Sequence, residues 1–303
     1  MLKSFAKAVI PGQWLSLWKR MVFWILKFLT LPKNSFQQFV CNICGRKTSF
    51  PRKEMMRETA SCVYCGSSVR FRSIIHALSM ELFGESLAIQ DFADRQDLVG
   101  VGMSDWDGYA KRLAKKLNYA NTYYHKEPLL DITNVDPSQS GLYDFIIATE
   151  VFEHISQPIS RAFENVYRLL KPGGIFIFSV PYVEGKTREH FPELWKYTVR
   201  EERGSWVLSN ETTNGQFQRY DTLTFHGGPG TTLEMRLFGR TSLTRDFIDA
   251  GFTEIRVHDE EVNNFGILWN TYIPEDAPYR PLIYGLDTPP WAARKPHVKS
   301  SEP

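Results

Sequence analysis

The sequence predicts an α/β fold: a mostly parallel sheet with helices on both faces, preceded by a small module built around a metal. Two observations carry this. Tyr143–Pro181 reads as an apolar strand, a sharp polar turn, an amphipathic helix, a glycine turn and a second apolar strand. Such a crossover implies parallel strands covered on both faces. The four cysteines fall in two pairs, Cys41-Asn42-Ile43-Cys44 and Cys62-Val63-Tyr64-Cys65, with seventeen residues between them. That is the two-knuckle spacing of a four-thiolate zinc site, in which each pair gives two ligands to one tetrahedron. At 303 residues and 43% hydrophobic content, the chain has room for one large domain and a small appendage.

The elements follow in order. Residues 1–34 form a basic, aromatic segment. Trp14, Trp18, Phe23, Trp24 and Phe28 alternate with Lys19, Arg20 and Lys27. The uninterrupted apolar run is too short to span a bilayer and lacks a signal-peptide cleavage site. An interfacial helix over residues 14–31 is the expectation, with a helix packed on the protein itself as the rival. Residues 1–60 carry eleven Lys and Arg against two Glu, a charge of +9 in a chain of +2, so the remainder is near −7. The asymmetry points to an anionic surface, membrane or nucleic acid, at the N-terminal end.

Residues 35–72 form the zinc module. Gly45 and Gly66 follow the second cysteine of each pair, where a knuckle turn benefits from positive φ. Two disulfides or a redox pair are the rival readings. Zinc binding contributes on the order of 10–16 kcal/mol to folding such a segment. Four thiolates leave no open coordination position, so the metal is structural and no catalytic metal is expected. A linker over 73–96, with a helix at Ser73–Phe83, leads to the sheet domain at 97–292.

Within the sheet domain, Leu98–Gly102 reads as the first strand and its glycine turn, and Gly108–Leu117 as a helix capped by Asp107 or Asp105. Asn121–His125 reads as the second strand and Leu129–Ile132 as the third. The few residues between them leave no room for a crossover helix. Tyr143–Thr149 is the next strand. Ala162, Phe163, Val166, Leu169 and Leu170 form one helical stripe, Lys171–Gly174 end that helix, and Ile175–Val180 is the strand that follows. Residues 183–240 form an insertion rich in aromatic and polar residues. A helix ending at Ala250-Gly251 and the strand Phe252–Val257 close the domain, and 293–303 read as a disordered tail.

The turn Thr149–His154, the Leu170–Gly174 turn, the glycine loop Gly100–Ser104 and the Ala250-Gly251-Phe252 entry together resemble a class I S-adenosylmethionine-dependent methyltransferase, with its Rossmann-like sheet. The resemblance implies S-adenosylmethionine at the carboxyl ends of the strands, beside Gly100, Gly102 and Ser104. In that family an acid is followed by three glycines at alternate positions. Here Gly100 replaces the acid and Ser104 a later glycine, and Asp105 or Asp107 is the candidate for the donor's ammonium. Glu127 stands where an acid meets the ribose, Asp131 where one meets the adenine edge, and Glu150 ends the fourth strand. In this fold an insertion after the fifth strand lies over the donor, so residues 183–240 are the expected acceptor lid. His154, His190 and His226 are the candidate bases for a hydroxyl acceptor.

The motifs Gly102–Trp106 with Gly108–Ala110, Glu150–Ile155, Phe225–Phe238 and Ala293–Lys295 also resemble a group of bacterial methyltransferases whose pattern suits a small or lipid-linked glycan acceptor. O-methylation of a saccharide or related small molecule is therefore the expected reaction. The location implied is the cytoplasm, with contact at the inner membrane face. The alternatives are an RNA base methyltransferase gripping RNA through its zinc module, and a catalytically silent donor-binding protein.

Overall fold

The computed structural model describes residues 35–269 and 288–297. The basic aromatic segment at 14–31, and the part of the expected tail beyond 297, lie outside the described residues. None of the described helices is long and apolar enough to cross a membrane.

The chain begins with an antiparallel hairpin, β1 (Phe36–Val40) on β2 (Lys47–Pro51), whose turn holds the first cysteine pair. After the second pair comes α1 (Val69–Phe83), with Ser68 Oγ accepting from the Phe71 amide at its start and Gly84 in left-handed conformation at its end. This helix starts four residues before the predicted linker helix, and it is no linker. Ile74, Ile75, Ala77 and Leu78 are fully buried against the sheet.

The central sheet is built from β3 (Arg95–Met103), β4 (Leu117–Thr122), β5 (Tyr143–Thr149), β6 (Leu170–Ser179), β15 (Thr253–Val257) and β16 (Trp291–Arg294), in the order β15-β16-β6-β5-β3-β4. β4, β3, β5 and β6 are parallel, while β16 runs antiparallel to both its neighbours. The side chains alternate as a two-sided sheet requires. Phe145, Ile147, Ile175 and Ile177 face α1 and α2 (Asp107–Leu113). Ile146, Ala148, Phe176 and Phe178 face α3 (Ser160–Leu169) and α4 (Arg240–Asp249). Ala162, Phe163, Val166 and Leu169 of the predicted stripe are fully buried on α3, and Leu170, its last residue, is fully buried at the start of β6. The first apolar layer also contains Phe39, Cys41, Ile43, Phe50 and Met55, so the cysteine module and one face of the sheet share a core.

Several expectations are corrected. The second strand is Leu117–Thr122, not Asn121–His125, because α2 stops at Leu113 and the chain enters the sheet after a short turn. Leu129–Ile132 forms no strand. The Tyr123 amide bonds the Pro128 carbonyl and the Leu130 amide bonds the Tyr123 carbonyl, folding the segment back on itself. Only a bridge between Tyr123 and Leu129 remains. The tail does not begin at 293. Trp291, Ala292 and Ala293 are buried in an interior strand between β15 and β6, with the Trp291 ring stacked on Phe247.

The insertion folds as strands: β7 (Tyr182–Val183), β8 (Arg188–Glu189), β9 (Lys196–Glu202), β10 (Ser205–Glu211), β11 (Phe217–Tyr220), β12 (Phe225–His226), β13 (Thr232–Leu233) and β14 (Arg236–Gly239). Phe191, Leu208, Leu233 and Met235 give it a small core of its own. It is tied to the turn after β5. Arg236, fully buried, donates from Nη1 to the Phe152 and Ile155 carbonyls at 2.8 and 2.6 Å, and the Met235 amide donates to the Glu153 carbonyl at 2.7 Å.

Candidate active site and thiolate centre

The connection from β3 to β4 runs over one face of the sheet through α2, and that from β5 to β6 over the other through α3. The strand order therefore reverses between β3 and β5, and ligands of such sheets bind at the carboxyl ends of the strands there. Ser104 follows β3 and Glu150 follows β5. Both have left-handed backbones, with φ of +57° and +55°. For residues other than glycine this conformation costs on the order of 1 kcal/mol, and it concentrates at functional sites.

The glycine loop is tightly supported from below. A Cβ on Gly100 would lie 2.0 Å from the Phe145 ring, and one on Gly102 would lie 1.9 Å from the Tyr119 hydroxyl and 2.1 Å from the Asp105 carboxylate. Asp105, a predicted donor-ammonium partner, is buried beneath the loop and accepts a hydrogen bond from Tyr119. Burial pushes its carboxyl up to about 7, against the hydroxyls of Tyr109 and Tyr119 and the charge of Arg70. The folded state therefore holds this proton where the unfolded chain has lost it, so stability declines as pH rises from about 4 through 7. Asp105→Asn removes the titration. Its stability relative to wild type should rise by about 2.6 kcal/mol between pH 5 and pH 8 in urea unfolding, and a pH-independent difference would contradict this.

The other predicted donor residues are dispersed around this end. The Asp131 carboxylate accepts from the Thr133 amide at 2.9 Å and its hydroxyl at 2.7 Å. Exposed Glu127 accepts from the Leu129 amide. Glu150 meets Arg57 at 2.7 Å and Ser179 Oγ at 3.1 Å. Burial opposes the charge on Glu150, yet the Arg57 and Arg70 guanidiniums outweigh it and hold the carboxyl at about 2. Arg70 Nη1 also reaches Thr149 Oγ1 at 3.5 Å. Arg57 comes from the cysteine module and Arg70 from the first turn of α1, and together they form one wall of the site.

The insertion forms the other wall and brings the three predicted histidines together. The His154 and His226 rings stand perpendicular, 4.6 Å apart. Glu234 bridges His226 Nε2 at 2.8 Å and His190 Nε2 at 2.7 Å. Burial works against the charge of Glu234, but the two histidines prevail and hold its carboxyl at about 2. Burial lowers His154, and the hydrogen bond to Glu234 raises His226. Glu153 lies beneath both rings, 1% exposed, and burial pushes its carboxyl well up.

Sequence reasoning missed Arg57, Arg70, Glu153 and Glu234. The two glutamates lie within motifs that resemble the bacterial group, Glu150–Ile155 and Phe225–Phe238. Nothing in the sequence around Arg57 marks its role.

The four cysteines are free thiols whose sulfurs lie within 4.8 Å of one another. Cys41–Cys65 and Cys44–Cys62 are 3.7 Å apart, far beyond a disulfide bond. Four sulfurs at about 2.3 Å from one zinc ion stand about 3.8 Å apart, so the donor set fits a structural zinc. Gly45 and Gly66 have φ of +72° and +78° and close the knuckles through amide bonds to the Cys41 and Cys62 carbonyls, both 2.8 Å.

A family model described as a methyltransferase domain matches residues 37–222, more than half the chain. The chain therefore belongs to the methyltransferase-domain family, and it is a class I S-adenosylmethionine-dependent methyltransferase. Three solved structures are similar in outline. One is the 1,6-didemethyltoxoflavin-N1-methyltransferase of Burkholderia thailandensis, with 13% identity, 75% of this chain and 78% of that one covered, and a TM-score of 0.38. Another is an amino pentose methyltransferase from Micromonospora echinaspora, with 12% identity, 76% and 92% covered, and a TM-score of 0.39. The third is an S-adenosylmethionine-dependent methyltransferase from Clostridium acetobutylicum, with 14% identity, 77% and 93% covered, and a TM-score of 0.37. No curated protein matches the chain.

Proposed function

We propose that this methyltransferase O-methylates a saccharide or a related small or lipid-linked acceptor. The observation that supports a hydroxyl acceptor is the cluster of His154, His190, His226, Glu153 and Glu234 beside the end of β5. A hydroxyl must lose its proton to attack the methyl carbon, and imidazoles held by carboxylates serve that need near neutral pH. A base nitrogen with a free lone pair would need no such group. The donor lies over Ser104 and Glu150 at the switch point, with Gly100, Gly102, Asp105, Glu127 and Asp131 shaping or lining its site. Positioning and exclusion of water under the insertion supply most of the rate. The cysteine module carries a structural zinc at Cys41, Cys44, Cys62 and Cys65.

The test begins with the donor. Calorimetry on the full chain should show S-adenosylmethionine binding, weakened about tenfold by Asp131→Ala, the scale of one hydrogen bond to a charged group. Gly102→Val is a poor probe, since its side chain would strike Tyr119 and Asp105 before any ligand. Methyl transfer is then assayed on saccharide hydroxyls and on RNA. No donor binding at millimolar concentration would overturn the assignment, and transfer to RNA bases alone would replace the acceptor.

The same reading places the protein in the cytoplasm, with residues 14–31 at the inner membrane face. The support is compositional: tryptophans suited to headgroup depth, and basic residues worth roughly 1 kcal/mol each near anionic lipid. Trp24→Ser should lose most of its flotation with anionic vesicles. Equal flotation of the two proteins would assign the segment to packing on the protein itself.

A further inference from the structure

We propose that Glu153, His154 and His226 hold a second metal ion, a divalent transition cation distinct from the thiolate zinc. The role given to it rests on the hydroxyl-methylating reading above, but the site itself does not.

The argument is one of lone pairs. His154 Nδ1 lies 2.8 Å from the Leu233 carbonyl, which can only accept, so Nδ1 carries the hydrogen and Nε2 the free lone pair. His226 Nε2 lies 2.8 Å from the Glu234 carboxylate, so Nε2 carries the hydrogen and Nδ1 the free lone pair. Both free nitrogens face one atom. His154 Nε2 and His226 Nδ1 are each 3.7 Å from Glu153 Oε1. That distance is too long for a hydrogen bond, and neither oxygen of this buried carboxylate has a hydrogen-bond partner. Three acceptors converging on one point, with the carboxylate among them buried and unpartnered, make a poor arrangement unless a cation sits among them. Ligand atoms about 2.1 Å from a common ion, at angles of about 110–120°, stand about 3.4–3.6 Å apart, close to what is found. All three ligand atoms lie within 4.8 Å of one another.

The surroundings match the demands of such a site. Each ligating imidazole donates its other nitrogen to a fixed acceptor, the arrangement that orients metal-bound histidines. Glu234 is itself held by His190. Glu153 and His154 share one short turn that Arg236 clamps through the Phe152 and Ile155 carbonyls, while His226 arrives from the insertion. Two imidazoles and one carboxylate favour zinc, iron(II), cobalt(II) or manganese(II) over calcium, and three protein ligands leave positions open. An acceptor hydroxyl fills one of them, so His154 and His226 act on it through the ion, which lowers its pKa, rather than as bases themselves. Its proton passes to a water held at another open position, and its oxygen forms the bond to the methyl carbon. The carbon–sulfur bond breaks with its electron pair on sulfur, turning the donor sulfonium into a neutral thioether.

The test uses the full chain equilibrated with micromolar zinc and read by atomic emission. Wild type should hold two equivalents. Glu153→Gln and His226→Ala should each hold one, the retained thiolate zinc reporting that the fold survives. Glu234→Gln should weaken the second equivalent by 10–100-fold. One equivalent in wild type at saturating zinc, or two in both ligand variants, would overturn the site. Calorimetry with S-adenosylmethionine on the same wild-type sample separates the failures. Donor binding without a second metal removes this inference alone, whereas loss of both removes the methyltransferase reading with it.

Discussion

Stripping the zinc proposed at Cys41, Cys44, Cys62 and Cys65 from the full chain should unfold far more than the cysteine module. Zinc bound by such a site contributes on the order of 10–16 kcal/mol, more than most whole domains have in net stability. Were the module an appendage, the sheet would survive its loss. Instead Phe39, Ile43, Phe50 and Met55 pack in the same apolar layer as Ile74, Phe145 and Ile177. Beneath the knuckles, fully buried Arg72 donates to the Ser67 carbonyl, to Ser61 Oγ and to the Gly266 carbonyl, linking the module to a distant part of the domain. Cys44→Ser, or a strong chelator at neutral pH, should therefore expose much of the α1 face and lower the unfolding midpoint of the whole chain. Far-UV and near-UV circular dichroism during chelation would read this. Retention of the full sheet signal and of donor affinity after zinc release would show that the shared layer is not cooperative.

The second large effect is expected at Arg57→Ala. Arg57 is 4% exposed and spans the site, donating to Glu150 at 2.7 Å and to the Thr288 carbonyl at 3.2 Å, and pairing with Glu58. Removing one partner of a buried pair leaves the other charged and desolvated, at a cost of about 3–5 kcal/mol. Arg70 and Ser179 keep part of the compensation for Glu150, which places the expected loss near the lower end, at about 3 kcal/mol. Glu150 should also leave its left-handed conformation more readily, so donor affinity falls together with stability. Urea unfolding and calorimetry measure the two losses. A change under about 1 kcal/mol, the range of solvent-screened pairs, would mean that water has access to this pair.

The legible parts of this protein were those where chemistry is local. The strand Tyr143–Thr149 and the apolar stripe of α3 are continuous in sequence and fell where the pattern put them. The strand expected at Ile175–Val180 instead runs from Leu170 to Ser179 and takes in the Lys171–Gly174 turn, whose backbone pairs with the sheet and with Lys295. The cysteine cluster was legible because knuckle spacing is a local geometry. The missing third strand was not, because it depended on how Tyr123 and Leu130 turn back on each other. Nor was the strand at 291–294, whose three buried residues are too few to show a period and whose partners lie far away in sequence. The same holds at the site. His154 and His226 could be named as candidates, but their company with Glu153 and Glu234 depends on the insertion folding onto the turn after β5. Asp105 was a natural choice for the donor's ammonium until Tyr119, from the neighbouring strand, claimed its carboxylate.

The position of β16 bears on how the chain assembles during synthesis. This strand is inserted between β6 and β15, so Arg294 pairs with Ile175 and Trp291 with Phe178. On the ribosome, β6 emerges long before its outer neighbour exists. At about 5–20 residues per second, the interval is on the order of ten seconds. Throughout it, one margin of a strongly apolar sheet offers unpaired backbone groups, the kind of edge that recruits other chains. The nascent protein is therefore most vulnerable to aggregation after its catalytic end has already been translated. Chaperone protection would matter most in that window, before Trp291 closes the gap.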